Sequence, residues 1–257
     1  MDVRVRGSGP AGPFLGATSL LETEWELALP VEVEIRENPD ERTHAAHYDD
    51  RHELVISRKA ATSAMARELA LHELAHMVRY ENDHPSHTQS TDEALFLALA
   101  GQSVERRKVT HCYQIANHMK DIYADDITLS VAPAEKLVTF FESQLAATLA
   151  DRPTDGLYPE SSVDTTEADP EIAVVNAAFA LAMVERHDLV DEDHRIYALA
   201  DALAGDAPGV DLDHFREKFR SLARQPTESD YRKDLVDVTR AYAAESTARG
   251  PGQPASD

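Results

Sequence analysis

The stretch Ala70-Leu71-His72-Glu73-Leu74-Ala75-His76-Met77-Val78 constrains this chain more than any other. It places His-Glu-x-x-His inside a segment whose apolar residues recur with helical spacing. At about 3.6 residues per turn, side chains four apart lie about 40° apart around the axis, so His72 and His76 project from one face. Two neutral imidazoles one turn apart can grip a divalent metal, and zinc is the usual choice. Glu73 lies about 100° round from His72. It can meet a water on the metal without being a ligand, which suits a general base. The pair needs a third protein ligand and an open position.

The residues before the motif read as a small sheet. Residues 2–6 alternate, residues 7–16 form a Gly/Pro loop, and residues 20–29 suggest a short helix ending at Pro30. Val31-Glu32-Val33-Glu34-Ile35 alternates apolar and acidic residues, as a half-exposed strand does. Residues 45–48 and 53–57 suggest two more strands. The motif helix is expected over residues 60–80 and is broken at 82–86. A second helix, residues 93–107, has the centre Ala94-Leu95-Phe96-Leu97-Ala98-Leu99-Ala100, apolar all round and so expected to be deeply buried. Helices follow at 110–128 and 133–149. Residues 151–170 read as a linker or long surface loop, with helices beyond at 171–186, 194–203, 212–223 and 228–245. Residues 246–257 lack core formers and are expected to be disordered. The fold class is α+β, mainly helical, with a small antiparallel N-terminal sheet. Residues 1–150 would form the metal-binding domain and 171–245 a helical C-terminal region.

Charge excludes some partners. The chain of 257 residues carries 47 acidic and 25 basic side chains, a formal charge of −22, spread along its length. It should repel nucleic acid and anionic membranes. Diffuse acid with few lysines resembles the cytoplasmic proteins of salt-accumulating archaea, where salt screens self-repulsion. The one cysteine, Cys112, excludes an intrachain disulfide. No apolar run reaches bilayer length, and no segment at the start has a signal-peptide core, so a cytoplasmic location is expected.

The residues His72, Glu73 and His76, mid-helix after a strand-like region, resemble the zincin metallopeptidases. The resemblance covers residues 53–80 best and extends to Leu129. It implies a zinc ion held by two histidines and a third ligand, an edge strand above the cleft that holds a substrate backbone, and peptide hydrolysis with Glu73 as base. Three completions compete. The metzincin pattern asks for a histidine at position 82, which is Asn82, and is discarded. Glu93 opens a helix 17 positions after His76 and is similar to the ligand of thermolysin-like enzymes, but their outer-partner aspartate is Leu97 here. Asn117, Asp121 and Asp125 form an i, i+4, i+8 ladder that resembles the Glu-x-x-x-Asp of many zincins, with Asp121 as ligand and Asp125 behind it. Asp121 is the first choice, with Glu93 and Asp125 as alternates and Glu105 behind them. His111, His118, Tyr113 and Tyr123 are candidate oxyanion donors. Further candidates weigh less: His44, His47 and His52 as a second cluster, Cys112 as a ligand, and residues 84–87 as a cleft rim.

The expected function is a zinc-dependent metallohydrolase acting on a peptide or protein. The rival expectation is a catalytically silent metal-binding or interaction scaffold. The C-terminal helices could cover the cleft, bind a partner or dimerise.

Overall fold

The computed structural model describes residues 1–151 and 169–245. The expected tail at 246–257, and all but the ends of the expected linker, lie outside them. The chain is α+β and mainly helical, with one four-stranded sheet at the N-terminus.

Its elements in order are β1 (Val3–Gly7), α1 (Gly12–Leu21), β2 (Val31–Arg36), β3 (His44–His47), β4 (His52–Ser57), α2 (Arg58–Ala61), α3 (Ala66–Glu81), α4 (Pro85–Thr88), α5 (Thr91–Leu99), α6 (Arg106–Val131) and α7 (Glu135–Ala150), followed by α8 (Pro170–Arg186), α9 (Arg195–Ala204), α10 (Leu212–Arg220) and α11 (Glu228–Glu245). They form two compact units. The first is Met1–Ser90 with Met119–Lys136, and the second is Thr91–His118 with the described residues from Leu137 onward. The segment expected as one domain, residues 1–150, therefore contributes to both, and α6 is shared between them.

In the first unit the sheet order is β1-β2-β4-β3. The sheet is mixed, not antiparallel as expected: β1 and β2 are parallel, β2 and β4 are parallel, and only β3 runs antiparallel to β4. The reason lies in α1. Residues 7–16 read as a loop because of their Gly and Pro, yet Pro13 stands in the first turn of α1, where a missing N–H costs nothing. A helix between β1 and β2 makes a crossover, and a crossover joins parallel strands. Gly7 ends β1 at φ +96, with a Cβ there 2.2 Å from the Ile35 carbonyl oxygen, so no larger residue fits.

The alternation in β2 holds: Val31, Val33 and Ile35 are buried, and Glu32, Glu34 and Arg36 are partly exposed. Its inner face packs on α1 and α3 through Phe14, Leu21, Leu71, Leu74, Met77 and Val78. Truncating one of these buried leucines to alanine would cost about 2–5 kcal/mol. The motif helix starts at Ala66 instead of residue 60, because residues 58–61 form the separate short helix α2, capped by the Ser57 hydroxyl accepting from the Ala60 N–H at 3.1 Å. Arg79, buried on α3, donates through Nε to the Tyr123 carbonyl of α6 at 2.9 Å. That bond ties the motif helix to the helix carrying Asp121.

In the second unit α8 is the central element, buried on nearly every face from Ile172 to Val184, with α9 and α10 packed against it. The expectation that the helix after the motif is deeply buried is corrected. α5 packs one face, Ala94, Leu95 and Ala98, while Phe96 is 73% exposed and Leu97 44%. The apolar run of seven residues from Ala94 to Ala100 packs only one face in the second unit, where α5 neighbours α11, and Phe96 and Leu97 stay in solvent.

Candidate metal centre

His72 and His76 lie on α3 as their spacing requires, and their rings meet edge to face. The two Nε2 atoms are 3.0 Å apart. Asp121 of α6 brings Oδ1 to 3.3 Å from His76 Nε2 and 3.6 Å from His72 Nε2. Three ligand atoms about 2.0–2.2 Å from one zinc ion stand about 3.3–3.5 Å from each other in a tetrahedron. The observed triangle fits one such ion. All three side chains are partly exposed, which leaves room for water or substrate.

Each histidine is oriented from behind. His72 Nδ1 is 2.7 Å from the Asp125 carboxylate, which only accepts. Nδ1 therefore carries a proton, which leaves Nε2, beside Asp121, as the nitrogen that would bind a metal. Asp125 itself is buried. Burial alone would lower the His72 pKa. The charges and hydrogen bonds of Asp125 and Asp121 outweigh it and hold the imidazole well above its ordinary range. A divalent cation between the same groups would take the place of that proton. His76 Nδ1 is 2.7 Å from His87 Nε2. The ladder expected on α6 is graded in depth: Asn117 is exposed, Asp121 partly so, and Asp125 buried. Glu73 follows His72 on the same helix and is partly exposed.

A third oriented histidine stands in β4, next to the edge strand β3. His52 is fully buried, with Nε2 3.0 Å from Glu81 Oε1 and Nδ1 2.9 Å from His47 Nδ1. Glu81 also accepts from the backbone N–H groups of Ala28 and Leu29 at 2.7 and 2.9 Å, so it acts as an acceptor. The carboxylate fixes a proton on His52 Nε2. His52 Nδ1 then accepts from His47, whose Nε2 is left bare. The His47 ring stacks on Tyr80 at 4.1 Å. Burial pushes the His47 pKa down to about 4, and the charges of His52, His76 and Lys120 push the same way. The expected trio of His44, His47 and His52 is thus a pair: His44 is exposed and bonds the Arg42 carbonyl.

The model of a family described as a family of unknown function (DUF5781) matches residues 1–244. The chain belongs to this family. No curated protein and no solved structure matches it.

The other candidates in this DUF5781 chain are not part of the triangle. Glu93 stands in the first turn of α5, in the second unit, and is not one of the three converging residues. Glu105, just before α6, is not one of them either. Of the candidate oxyanion donors, Tyr123 is fully buried with its ring against His84. Tyr113 donates to Asp92 at 2.7 Å, and His118 bonds Asn176 at 2.8 Å while stacking on Phe179. His111 bonds the Tyr242 hydroxyl. Cys112 is fully buried, its Sγ faces the Thr239 carbonyl at 3.8 Å, and it is not one of the converging residues; burial raises its thiol pKa to about 11.

Among the described residues a second group, His111, Asp169 and Glu171, also has converging donor atoms. Here Arg107 bonds both carboxylates. Asp169 further caps α8, accepting from the Glu171 N–H at 3.0 Å. This group is a charge network closed by the protein's own guanidinium. Residue spacing did not single out His87 or Ser86 behind His76, although residues 84–87 were expected at a cleft rim.

Proposed function

We propose that the chain is a zinc-dependent hydrolase of peptide bonds. One observation carries this reading: His72 Nε2, His76 Nε2 and Asp121 Oδ1 form a triangle of 3.0, 3.3 and 3.6 Å that one zinc ion would span. The His72 ring is turned into that triangle by an acceptor behind it. When bound, zinc would supply the Lewis acidity that activates a water for attack on a carbonyl. Glu73, beside His72 on the same helix, takes the proton of the attacking water and returns it to the leaving amine.

The edge strand supports a peptide substrate. β3 pairs with β4 on one side only, runs antiparallel to it and packs against α3. Its outer edge offers backbone N–H and C=O groups to an extended chain, which would add as a further strand. The net charge of −22 disfavours nucleic acid as substrate. Among the described residues no helix is long and apolar enough to cross a membrane.

The test is zinc content and peptide hydrolysis of the purified protein in high salt. The wild-type chain should hold one zinc ion and cleave an unstructured peptide. Glu73→Gln should keep the zinc and lose turnover by at least about 100-fold, the scale of a general base. Absence of stoichiometric zinc would sink the metal reading. Zinc without turnover in the wild-type chain would favour a silent metal-binding scaffold.

A further inference from the structure

We infer that residues 84–87 form a one-way hydrogen-bond relay that fixes the tautomer of His76, making Ser86 and His87 positioning residues for the candidate metal centre. The inference rests on the metal reading above and adds what holds its second histidine.

The direction of the relay follows from its first donor. His84 caps α4 in extended conformation, and its Nδ1 lies 3.2 Å from the backbone nitrogen of Ser86. A backbone N–H only donates, so His84 Nδ1 carries no proton. The Ser86 hydroxyl lies 2.7 Å from the same Nδ1 and must donate to it. A hydroxyl has one proton. Its other bond, 2.7 Å to His87 Nδ1, must therefore be donated by the ring. The ring nitrogens of His87 face Ser86 and His76, neither of them an anion, so nothing in these bonds favours a second proton on it. His87 Nε2 is then a bare acceptor and takes the proton of His76 Nδ1 across 2.7 Å. His76 Nε2 is left with a lone pair, and that is the atom beside Asp121 and His72.

Local sequence builds this device. Pro85 in the first turn of α4 has no N–H, so the amide of Ser86 is the one that reaches the capping ring. Ser86 is fully buried and His84 is 5% exposed, so water does not compete for these bonds. The His84 ring rests against Tyr123, centroids 4.6 Å apart, and Tyr123 stands two residues after Asp121. The relay is thus braced on the helix that supplies the carboxylate. His72 is held by a carboxylate and His76 by a neutral imidazole, so the two ligands differ in basicity.

The full-length chain in high salt tests this in two ways. Zinc affinity is measured by competition with a chromophoric chelator, and the tautomer of His76 in the metal-free protein by long-range nitrogen–proton NMR. The wild-type protein should show the His76 proton on Nδ1. His87→Leu, which accepts nothing, should weaken zinc binding by about 10–100-fold. His87→Gln, whose Oε1 reaches to about the position of Nε2, should stay within a few-fold of wild type. Ser86→Ala frees His87 to take either tautomer and should fall between the two. Equal losses in His87→Leu and His87→Gln would mean a packing role and overturn the relay. Wild-type affinity in His87→Leu, or a proton on His76 Nε2 in the metal-free chain, would do the same. If the wild-type chain bound no zinc, the metal reading would fail, and the tautomer measurement would still decide the relay.

Discussion

The two units hold groups of similar chemistry with opposite outcomes. In the first, His72, His76 and Asp121 turn their ligand atoms to one point. In the second, His111, Asp169 and Glu171 also come close together, yet Arg107 already bonds both carboxylates. The titration of one histidine from each reports the difference. His72 is desolvated but raised, because Asp125 and Asp121 face it. His111 is lowered: burial acts first, Asp169 opposes, and the Arg107 guanidinium again lowers. Both histidines have carboxylates at hand, and only those beside His111 are paired with a guanidinium. Nearness of His, Asp and Glu is therefore a weak criterion for a metal centre. What the far ring nitrogen bonds, and whether the carboxylates already hold a guanidinium, decide more.

The largest break in this comparison comes from the ligands. His76→Ala or Asp121→Ala should lower zinc affinity by more than about 100-fold, beyond the range typical of outer partners. His111→Ala should leave zinc stoichiometry unchanged. Chelator competition on the three variants checks both halves. Equal losses from both groups would remove the distinction drawn here.

The next effect is on pH dependence. Burial pushes His84 down from 6.5 to about 4, with Arg79 adding to it. A histidine lowered in the folded state stays neutral there while the unfolded chain takes up a proton. Stability is therefore full above about 6.5, falls as pH drops toward about 4, and loses no more below that from this group. The loss is at most about 3 kcal/mol, on the scale of 1.36 kcal/mol per pKa unit. In the second unit Asp169 partly offsets the lowering of His111, so acid should loosen the first unit sooner. Hydrogen exchange at pH 7 and pH 5 measures the two separately, and His84→Asn should flatten the dependence in the first. Loss of protection in the second unit first would reverse the ranking.

How far the sequence carries this picture depends on the range of the interactions. The α3 face bearing His72 and His76 and the alternation of β2 follow from local periodicity, and both were readable. So was the ladder that nominated Asp121 and Asp125. Choosing between Asp121 and Glu93 needed the approach of α6 to α3, set by contacts such as Arg79 to Tyr123 across 44 positions. The parallel pairing of β1 with β2 does not show in the sequence, because Gly and Pro at residues 7–16 mask a helix with proline in its first turn. The exposed Phe96 and Leu97 were missed because composition says how apolar a helix is, while its neighbours decide which face they cover. The role of His87 depends on the direction of three hydrogen bonds, which no spacing encodes.

Asp125→Asn tests the support behind His72. The amide still accepts from Nδ1 but carries no charge, so the imidazole becomes a weaker base. Zinc affinity should fall about 10–100-fold, with Glu73 chemistry otherwise intact. A Co2+-loaded sample read by visible absorption would show whether the ligand set persists. Unchanged affinity would mean that Asp125 serves packing alone.

The smallest effect sharpens the comparison from the other side. Arg107 is half-exposed, at 47% of its side chain, so its pairs with Asp169 and Glu171 are largely screened by solvent. Arg107→Met should cost only about 1 kcal/mol of stability, the upper end for exposed pairs. Its electrostatic signature should be clearer than its stability signature. Arg107 lowers the pKa of His111 and Asp169 raises it. Without the guanidinium the carboxylate dominates, and the His111 pKa should move up, in the direction of His72. The ring proton shifts of His111, followed by NMR through the titration, read this directly. An unmoved His111 would mean that burial alone sets it, and that Arg107 is not what separates the two groups.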